Sequence, residues 1–227
     1  MSRANNFSTQ EVVVQAGGTG LPAFLTLPGN AVGLVAFVHG SGSSRFSSRN
    51  QYVAQVLNAG GLGTLLFDLL TPDEHAIDSV TAQLRFDIPL LGRRTVATVD
   101  WLASQAEIAD LPLGLFGAST GAAAALIAAA ERPGRVRAVV SRGGRPDLAM
   151  ADLPRVQAPT LLIVGGHDYP VIEMNQEAAR QLSAPKELAI VEGATHLFEE
   201  PGTLEKAAKL ARDWFLRYLP VRPQATA

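Results

Sequence analysis

The chain has 227 residues, of which 47% are hydrophobic and 18% are charged. At about 150 residues per domain, this length fits one large domain better than two, and the composition excludes a disordered or collagen-like chain. Nineteen basic and 21 acidic residues leave a formal net charge of −2, so the chain lacks the excess positive charge that binds nucleic acid or an anionic membrane surface. We therefore expect a globular protein with no nucleic-acid partner.

The chain contains no cysteine, which excludes disulfides, thiolate metal sites and a cysteine nucleophile. Its amino-terminal sequence is polar and lacks the apolar stretch of a secretion signal, and the most apolar later run, residues 121–130, has about half the length needed to span a bilayer. We expect a cytoplasmic, soluble protein without membrane insertion. Residues 1–227 are expected to form a single domain, with flexible ends at residues 1–10 and 221–227, whereas the oligomeric state stays open.

The predicted elements begin with an antiparallel hairpin, because two β-prone segments, residues 12–15 and 21–27, flank a run of turn glycines. From residue 33, apolar runs of strand length alternate with stretches of helical periodicity. The predicted strands are residues 34–38, 62–67, 113–116, 136–140, 161–164 and 188–191, and the predicted helices are residues 47–59, 90–105, 119–131, 171–182 and 203–218. This alternation predicts an α/β fold with a mostly parallel sheet and helices on both faces. Functional residues are expected directly after the strands, since ligands of such sheets bind at the carboxyl ends.

A serine follows the strand at residues 113–116 within the sequence Gly-Ala-Ser-Thr-Gly, residues 117–121, which also opens the next helix. In a G-x-S-x-G sequence at such a junction, a strained turn exposes the serine hydroxyl and the small flanking residues allow close packing. Ser119 is therefore the candidate nucleophile. The alternative is that Ser119 simply caps the helix that follows.

A serine nucleophile needs an imidazole to accept its proton and a carboxylate to orient that imidazole. Asp168 follows the strand at residues 161–164, and His196 follows the strand at residues 188–191. Serine, acid and histidine in this chain order match one of the convergent triads. We predict that Ser119, Asp168 and His196 form a catalytic triad.

The other histidines have weaker claims on the chemistry. His39 precedes the serine and lies in a glycine-rich loop, whose shape we expect it to hold. His75 lies in an acidic segment, residues 73–78, that is able to bind a metal, but a solvated loop is the favoured interpretation because no clear metal-ligand spacing is present. His167 stands beside the proposed acid and is expected only to line the site.

An oxyanion hole requires two backbone N–H groups aimed at the tetrahedral intermediate. Residues 39–44, His-Gly-Ser-Gly-Ser-Ser, follow a strand and have the small side chains that let backbone amides turn inward. We predict donors at Ser41, with Gly42 as a weaker candidate, and at Thr120, the residue after the nucleophile. An ordinary glycine-serine turn is the alternative.

The motifs HGSGSS, GASTG, GGHDYP and EGATHLF together resemble the α/β-hydrolase superfamily, and specifically its small members that look like dienelactone hydrolases. The resemblance implies a sheet of about eight strands, Ser119 as nucleophile, Asp168 as acid, His196 as base, an oxyanion hole near Ser41 and Thr120, and no cofactor. Dienelactone hydrolases proper use a cysteine as nucleophile, so Ser119 argues against dienelactone as the substrate.

Many α/β-hydrolases insert a helical cap after the strand that follows the nucleophile helix. Here only about 18 residues separate that strand from the next, so no full cap is expected and an open site for small, accessible esters is predicted. Four residues near the catalytic loops are candidates for an apolar wall or for ordinary core: Phe46, Tyr169, Leu197 and Phe198.

Arg142 follows the strand at residues 136–140 and is expected at the rim of the site. An arginine there is suited to hold a substrate carboxylate through two hydrogen bonds. The favoured interpretation is instead a structural ion pair with Asp147 or Asp152.

The leading functional hypothesis is a cofactor-independent serine hydrolase that cleaves small carboxylic esters, with lactones and thioesters also in range. An acyltransferase that uses the same site is one alternative, and a catalytically inert binding protein on the same fold is another. A nicotinamide- or flavin-dependent enzyme is disfavoured because HGSGSSRFSS, the first glycine-rich turn between strand and helix, lacks the third glycine of the dinucleotide fingerprint.

Overall fold

The computed structural model of the chain describes residues 7–220. The strands are β1 (Thr9–Ala16), β2 (Thr19–Thr26), β3 (Leu34–Val38), β4 (Gly63–Phe67), β5 (Leu113–Ala118), β6 (Val136–Arg142), β7 (Thr160–Gly165) and β8 (Lys186–Val191). The helices are α1 (Ser48–Ala59), α2 (Pro72–Thr81), α3 (Ile88–Ser104), α4 (Thr120–Glu131), α5 (Tyr169–Gln181) and α6 (Thr203–Tyr218). The predicted strands and all five predicted helices are present with small shifts of their ends.

The eight strands form one sheet in the order β1-β2-β4-β3-β5-β6-β7-β8. β1 pairs with β2, and β2 with β4, in antiparallel register, whereas the other neighbouring strands are parallel. The predicted hairpin is confirmed, and Gly17 and Gly18 make its turn at φ +60° and +88°, which favours glycine. The mostly parallel sheet of about eight strands is confirmed as well.

Helices cover both faces of the sheet. On one face α3, α4 and α5 pack on the sheet, while α1 and α6 pack on the other. The residues of β3, β4, β5 and β7 are all buried, as expected for parallel strands covered on two sides. The sheet is therefore a rigid frame that fixes the points where the functional loops begin.

One helix was not expected from the sequence. α2 begins after a capping box, in which the Thr71 hydroxyl accepts from the Glu74 N–H and the Glu74 carboxylate accepts from the Thr71 N–H. The interpretation of His75 as part of a solvated loop is thus wrong, because His75 lies on an exposed face of this helix.

The expectation of flexible ends is wrong for Thr9 and Gln10, which pair with β2 as the first residues of β1. Residues 7 and 8 precede β1, and residues 1–6 and 221–227, to which the expectation also applies, lie outside the described residues.

The connection between β6 and β7 holds only two short 3-10 turns, Pro146–Ala149 and Leu153–Arg155. As expected, this connection contains no full cap in the described chain. Within residues 7–220, no helix has both the length and the apolar character that crossing a membrane requires.

Candidate active site

Ser119 lies on a strained turn between β5 and α4. Its backbone has φ +50° and ψ −124°, a conformation that residues other than glycine seldom adopt. Two hydrogen bonds hold it there, because the Ser119 N–H donates to the Arg142 carbonyl over 3.2 Å and the Arg145 N–H donates to the Ser119 carbonyl over 3.0 Å. The last residue of β6 and the loop that follows it therefore fix the conformation of the candidate nucleophile.

The two glycines that flank this turn lie at positions without room for a side chain. A Cβ atom on Gly117 would lie 2.4 Å from the Ala122 Cα atom, and one on Gly121 would lie 2.2 Å from the Val38 carbonyl oxygen. Both obstacles are backbone atoms that cannot rotate away. The glycines let α4 start close against β3 and β5, which sets the direction in which Ser119 projects.

Asp168 and His196 are in direct contact at the ends of β7 and β8. Asp168 directly precedes α5, and its Oδ2 lies 2.6 Å from Nδ1 of His196. A carboxylate facing Nδ1 makes that nitrogen the donor, which leaves Nε2 as the proton acceptor. The two loops are themselves joined, since the His167 N–H donates to the Ala194 carbonyl over 2.9 Å.

Ser119 and His196 line the same cavity, which has a volume of about 260 Å³. In the described part of the chain the Ser119 hydroxyl has no hydrogen-bond partner, so its bond to His196 is not formed in this structure. Such bonds are often long in unliganded sites and tighten when substrate binds. The arrangement offers a hydroxyl and a basic imidazole nitrogen to one bound molecule.

The predicted oxyanion residues also lie together. The Ser41 N–H donates to the Thr120 hydroxyl over 2.9 Å, so in this structure a side chain shares the amide that was expected to face an oxyanion. Gly42, the weaker candidate, has φ +69°. The loop that carries both residues thus contacts the first residue of α4 directly.

His39 holds the shape of this loop, as the sequence predicts. Its Nε2 accepts from the Leu69 N–H over 3.0 Å, so its Nδ1 carries the proton and donates to the Gly40 carbonyl over 2.9 Å. Burial lowers the pKa of His39 below its ordinary value and outweighs the opposing effects of Gly40 and Asp68. The ring is therefore a neutral link between the loops after β3 and β4.

Arg142 lines the cavity beside Ser119. The ion pairs predicted for it are wrong, since Asp147 pairs with Arg145 over 2.8 Å and Asp152 pairs with Arg155. Within residues 7–220, Arg142 makes no ion pair with any carboxylate.

The four candidates for an apolar wall do not all line the cavity that contains Ser119. Leu197 lines the cavity that contains Ser119, whereas Phe46 lines a neighbouring cavity of about 220 Å³ together with His75. Tyr169 is exposed at the start of α5. Phe198 is only 2% exposed and belongs to the core on the α6 side of the sheet, so of the two alternatives it is core and not wall.

The start of α1 also contributes to the cavity, where Ser47 and Asn50 were not predicted from the sequence. Ser47, which caps the helix, and Arg49 and Asn50 in its first turn line the cavity. Ser47 was recognisable as a helix start, and its hydroxyl accepts from the Asn50 N–H over 3.3 Å. The missing information was the direction of α1, which depends on how the helix packs on the sheet.

A metal at His75 finds no support in its surroundings. Within the part of the chain that the structure describes, no three His, Asp or Glu side chains lie close enough together to hold an ion. The acidic side chains near His75 are occupied otherwise, with Glu74 bound to Arg94 and Asp78 to Arg85.

The fold is that of the α/β-hydrolases, with the serine after β5, the aspartate after β7 and the histidine after β8. The sequence model of the dienelactone hydrolase family matches residues 68–219. The chain belongs to the dienelactone hydrolase family.

A crystal structure of a dienelactone hydrolase from Anabaena variabilis is 56% identical in sequence, with a TM-score of 0.93 over 94% of this chain and 99% of that one. Est1E from Butyrivibrio proteoclasticus shares the fold at a TM-score of 0.77 and 16% identity, over 91% of this chain and 98% of that one.

Two curated relatives have a different name. Proteins of Mycobacterium tuberculosis strains CDC 1551 and H37Rv, provisionally named phosphoribosyl transferases, are each 56% identical over 92% of this chain. The chain spans only 46% of the length of these relatives.

Proposed function

We propose that the protein is a cofactor-independent serine hydrolase that cleaves small, accessible carboxylic esters, and also lactones or thioesters. The observation that carries this proposal is the 2.6 Å contact between Asp168 and His196 Nδ1 beside the cavity that holds Ser119. It turns the basic Nε2 of His196 into the proton acceptor that a serine nucleophile requires.

The reaction proceeds in two halves. The Ser119 oxygen attacks the ester carbonyl while its proton passes to Nε2 of His196, and collapse of the tetrahedral intermediate transfers that proton to the departing alcohol. Water then attacks the acyl-serine, His196 accepts its proton, and the acid leaves as the proton returns to Ser119. Asp168 keeps the imidazole oriented and stabilises its charged form in both halves.

The oxyanion would be held by the amides of Thr120 and Ser41. Since the Ser41 N–H donates to the Thr120 hydroxyl over 2.9 Å, the incoming oxyanion either shares this amide with Thr120 or displaces the hydroxyl. Each such donor is worth about 10²- to 10³-fold in rate.

Open access supports the choice of small esters. The connection between β6 and β7 contributes only two short turns in the described chain, and Leu197 supplies an apolar wall to the cavity. A cytoplasmic location is part of the proposal and is tested by cell fractionation.

The test uses a fluorophosphonate, which reacts with activated serines, followed by intact-protein mass spectrometry and peptide mapping. A single adduct on Ser119, together with turnover of a short aryl ester, is the expected result. Ser119→Ala should lose the adduct and several orders of magnitude in kcat, whereas Ser104→Ala, on the exposed end of α3, should keep both. Folded protein that forms no adduct and shows no turnover would favour the hypothesis of a catalytically inert binding protein.

The same assays distinguish two other activities from ester hydrolysis. An acyltransferase would form a new ester when an alcohol is added at the acyl-enzyme stage. The name of the mycobacterial relatives raises phosphoribosyl transfer as a second candidate, although this chain covers only 46% of them. Turnover of phosphoribosyl pyrophosphate that survives Ser119→Ala would favour that candidate.

A further inference from the structure

The cavity beside Ser119 contains a charge that ester hydrolysis does not need. Arg142 is 8% exposed, and within residues 7–220 the one hydrogen bond of its guanidinium runs from Nη2 to the Asn50 Oδ1 over 3.3 Å. Its Nη1 has no partner within residues 7–220. A guanidinium has five N–H donors, and a buried charge without an opposite charge is costly to keep.

The guanidinium is nevertheless charged at neutral pH. Burial, and to a smaller extent the nearby Arg49, lowers the pKa of Arg142 to about 10, which still lies well above 7. The Phe116 and Phe198 rings lie 5.7 and 6.0 Å from its centre. These rings pack against the cation but do not neutralise it.

A second arginine lines the same cavity. Arg49 reaches Glu199 over 3.4 Å, with side chains that are 35% and 65% exposed. An exposed ion pair of this length is worth little, so Arg49 remains available to a bound anion. The cavity therefore combines two positive side chains, which repel each other.

Several serine hydroxyls of the cavity are also able to donate hydrogen bonds. Ser43 and Ser47 contribute hydroxyls, and Ser47 caps the first turn of α1, where the helix favours negative charge. Across the described residues, no acidic side chain lines this cavity.

We propose that the cavity binds a phosphate or phosphonate group of the substrate, held by Arg142 and Arg49 while Ser119 attacks an ester elsewhere in the same molecule. The inference rests on the proposed function, which supplies the reaction; the phosphorus group itself is retained unchanged. A tetrahedral dianion offers three oxygens in different directions and matches two guanidiniums and several hydroxyls, whereas a planar carboxylate fills one guanidinium fork.

The experiment compares three 4-nitrophenyl esters of similar length: the neutral butyrate, the succinate half-ester and the 3-phosphonopropionate. The expected order of kcat/KM is phosphonate first, then carboxylate, then neutral, with about tenfold between the first and the last. A carboxylate that is the best substrate overturns the choice of phosphorus. A neutral ester that is the best substrate overturns anion binding altogether.

Substitution assigns the preference to its residue. Arg142→Met should lower kcat/KM for the phosphonate ester at least about tenfold more than it lowers kcat/KM for the butyrate. Arg93→Met, which removes an exposed arginine of α3, is the matched control and should change neither. If Arg142→Met does not fold, Arg49→Met takes its place. The phosphonate preference found in the wild-type ester series should then be smaller in Arg49→Met, and an unchanged preference would overturn the assignment to this cavity.

A binding measurement separates this inference from the proposed function. Calorimetry of Ser119→Ala with methylphosphonate and with acetate should show binding of the phosphonate that is lost in Ser119→Ala/Arg49→Met. Absence of phosphonate binding in Ser119→Ala overturns the inference even if wild type hydrolyses esters. Failure of Ser119 to react with the fluorophosphonate overturns the proposed function. The phosphonate site is then judged by the calorimetry alone.

Discussion

The backbone of Ser119 is held in a strained conformation by its neighbours rather than by its own side chain. Its N–H bonds to the last residue of β6 and its carbonyl to the loop that follows, and Gly117 and Gly121 allow α4 to approach the sheet. The glycines are therefore as necessary to the site as the serine.

Gly121→Ala tests this dependence, since its Cβ would lie 2.2 Å from the Val38 carbonyl oxygen. Relief requires β3 or α4 to move, so we expect a loss of about 2 kcal/mol or more in the free energy of unfolding and loss of esterase activity. Gly134→Ala is the matched control, because no atom lies within 4 Å of its added Cβ. Urea unfolding measures both variants, and equal stabilities would contradict the packing argument.

Single residues were predictable where a local pattern carried the information. The spacing of G-x-S-x-G and the order of Ser119, Asp168 and His196 are visible in the sequence, and the structure brings the last two into contact. The partners of Arg142 were not predictable, because the short turns after β6 decide which arginine reaches Asp147. Phe198 turns into the core, one of its two predicted alternatives, but no pattern indicated the φ of +56° with which it does so.

At the level of elements, α2 shows where apolar periodicity fails. Asp78 is its one buried residue, so the helix has no apolar stripe that a sequence pattern could detect. Polar contacts fix it instead: the capping box at Thr71, the pair of Glu74 with Arg94, and the pair of Asp78 with Arg85. The capping sequence was the available signal.

Glu74→Gln tests whether polar contacts hold α2. Glu74 receives two hydrogen bonds from Arg94, of 2.6 and 2.7 Å, and Arg94 is buried, so removing the carboxylate leaves a cation with a weaker partner. We expect a loss of about 1–3 kcal/mol in the free energy of unfolding. Asp73→Asn removes a charge from the same turn and should cost less than about 1 kcal/mol. Thermal unfolding measures the stability of both variants. Equal losses of stability would mean that the helix dipole, and not the contact with Arg94, accounts for the effect of Glu74→Gln.

The same contact gives a pH dependence. Hydrogen bonding to Arg94 lowers the pKa of the Glu74 carboxyl below its ordinary value of 4.5. A lowered carboxyl pKa adds stability that is present above 4.5 and is lost as the pH falls through the folded-state value. The difference in unfolding free energy between wild type and Glu74→Gln should therefore shrink in acid.

α5 is tied to the nucleophile turn by one buried side chain. Asn175 donates from Nδ2 to the Gly144 carbonyl over 3.0 Å, and the neighbouring Arg145 of this loop holds the Ser119 carbonyl. Asn175→Ala should cost about 1–3 kcal/mol of stability and lower kcat more than it raises KM, because the loop that positions Ser119 loosens. Gln176→Ala, at an exposed neighbouring position, should leave both parameters unchanged. Unchanged kcat in a folded Asn175→Ala would contradict the positioning role.

For the whole molecule, the buried neutral His39 predicts acid sensitivity. Burial lowers its pKa from 6.5, so below pH 6.5 the unfolded chain binds a proton that the folded chain resists, and stability falls as the pH falls. The free energy of unfolding at pH 5 should be lower than at pH 7.5, and His39→Gln should reduce this difference. Denaturant titrations at both pH values measure it, and an equal pH difference in wild type and variant would remove His39 as the cause.

The architecture as a whole was predictable from the alternation of apolar runs and helical segments, because parallel strands buried on two faces read as continuous apolar sequence. The order of the strands was beyond that pattern. β2 pairs with β4, so the antiparallel hairpin lies beside the parallel strands. This arrangement depends on which edge of the sheet remains free once the central strands have paired.

The contacts that hold the backbone of Ser119 leave its side chain free to be replaced. Every hydrogen bond that fixes the turn uses backbone atoms, so the frame at position 119 does not depend on which side chain stands there. A thiol or a carboxylate at this position would inherit the same strained turn and the same histidine beside it. The fold therefore does not need to change when another side chain stands at position 119.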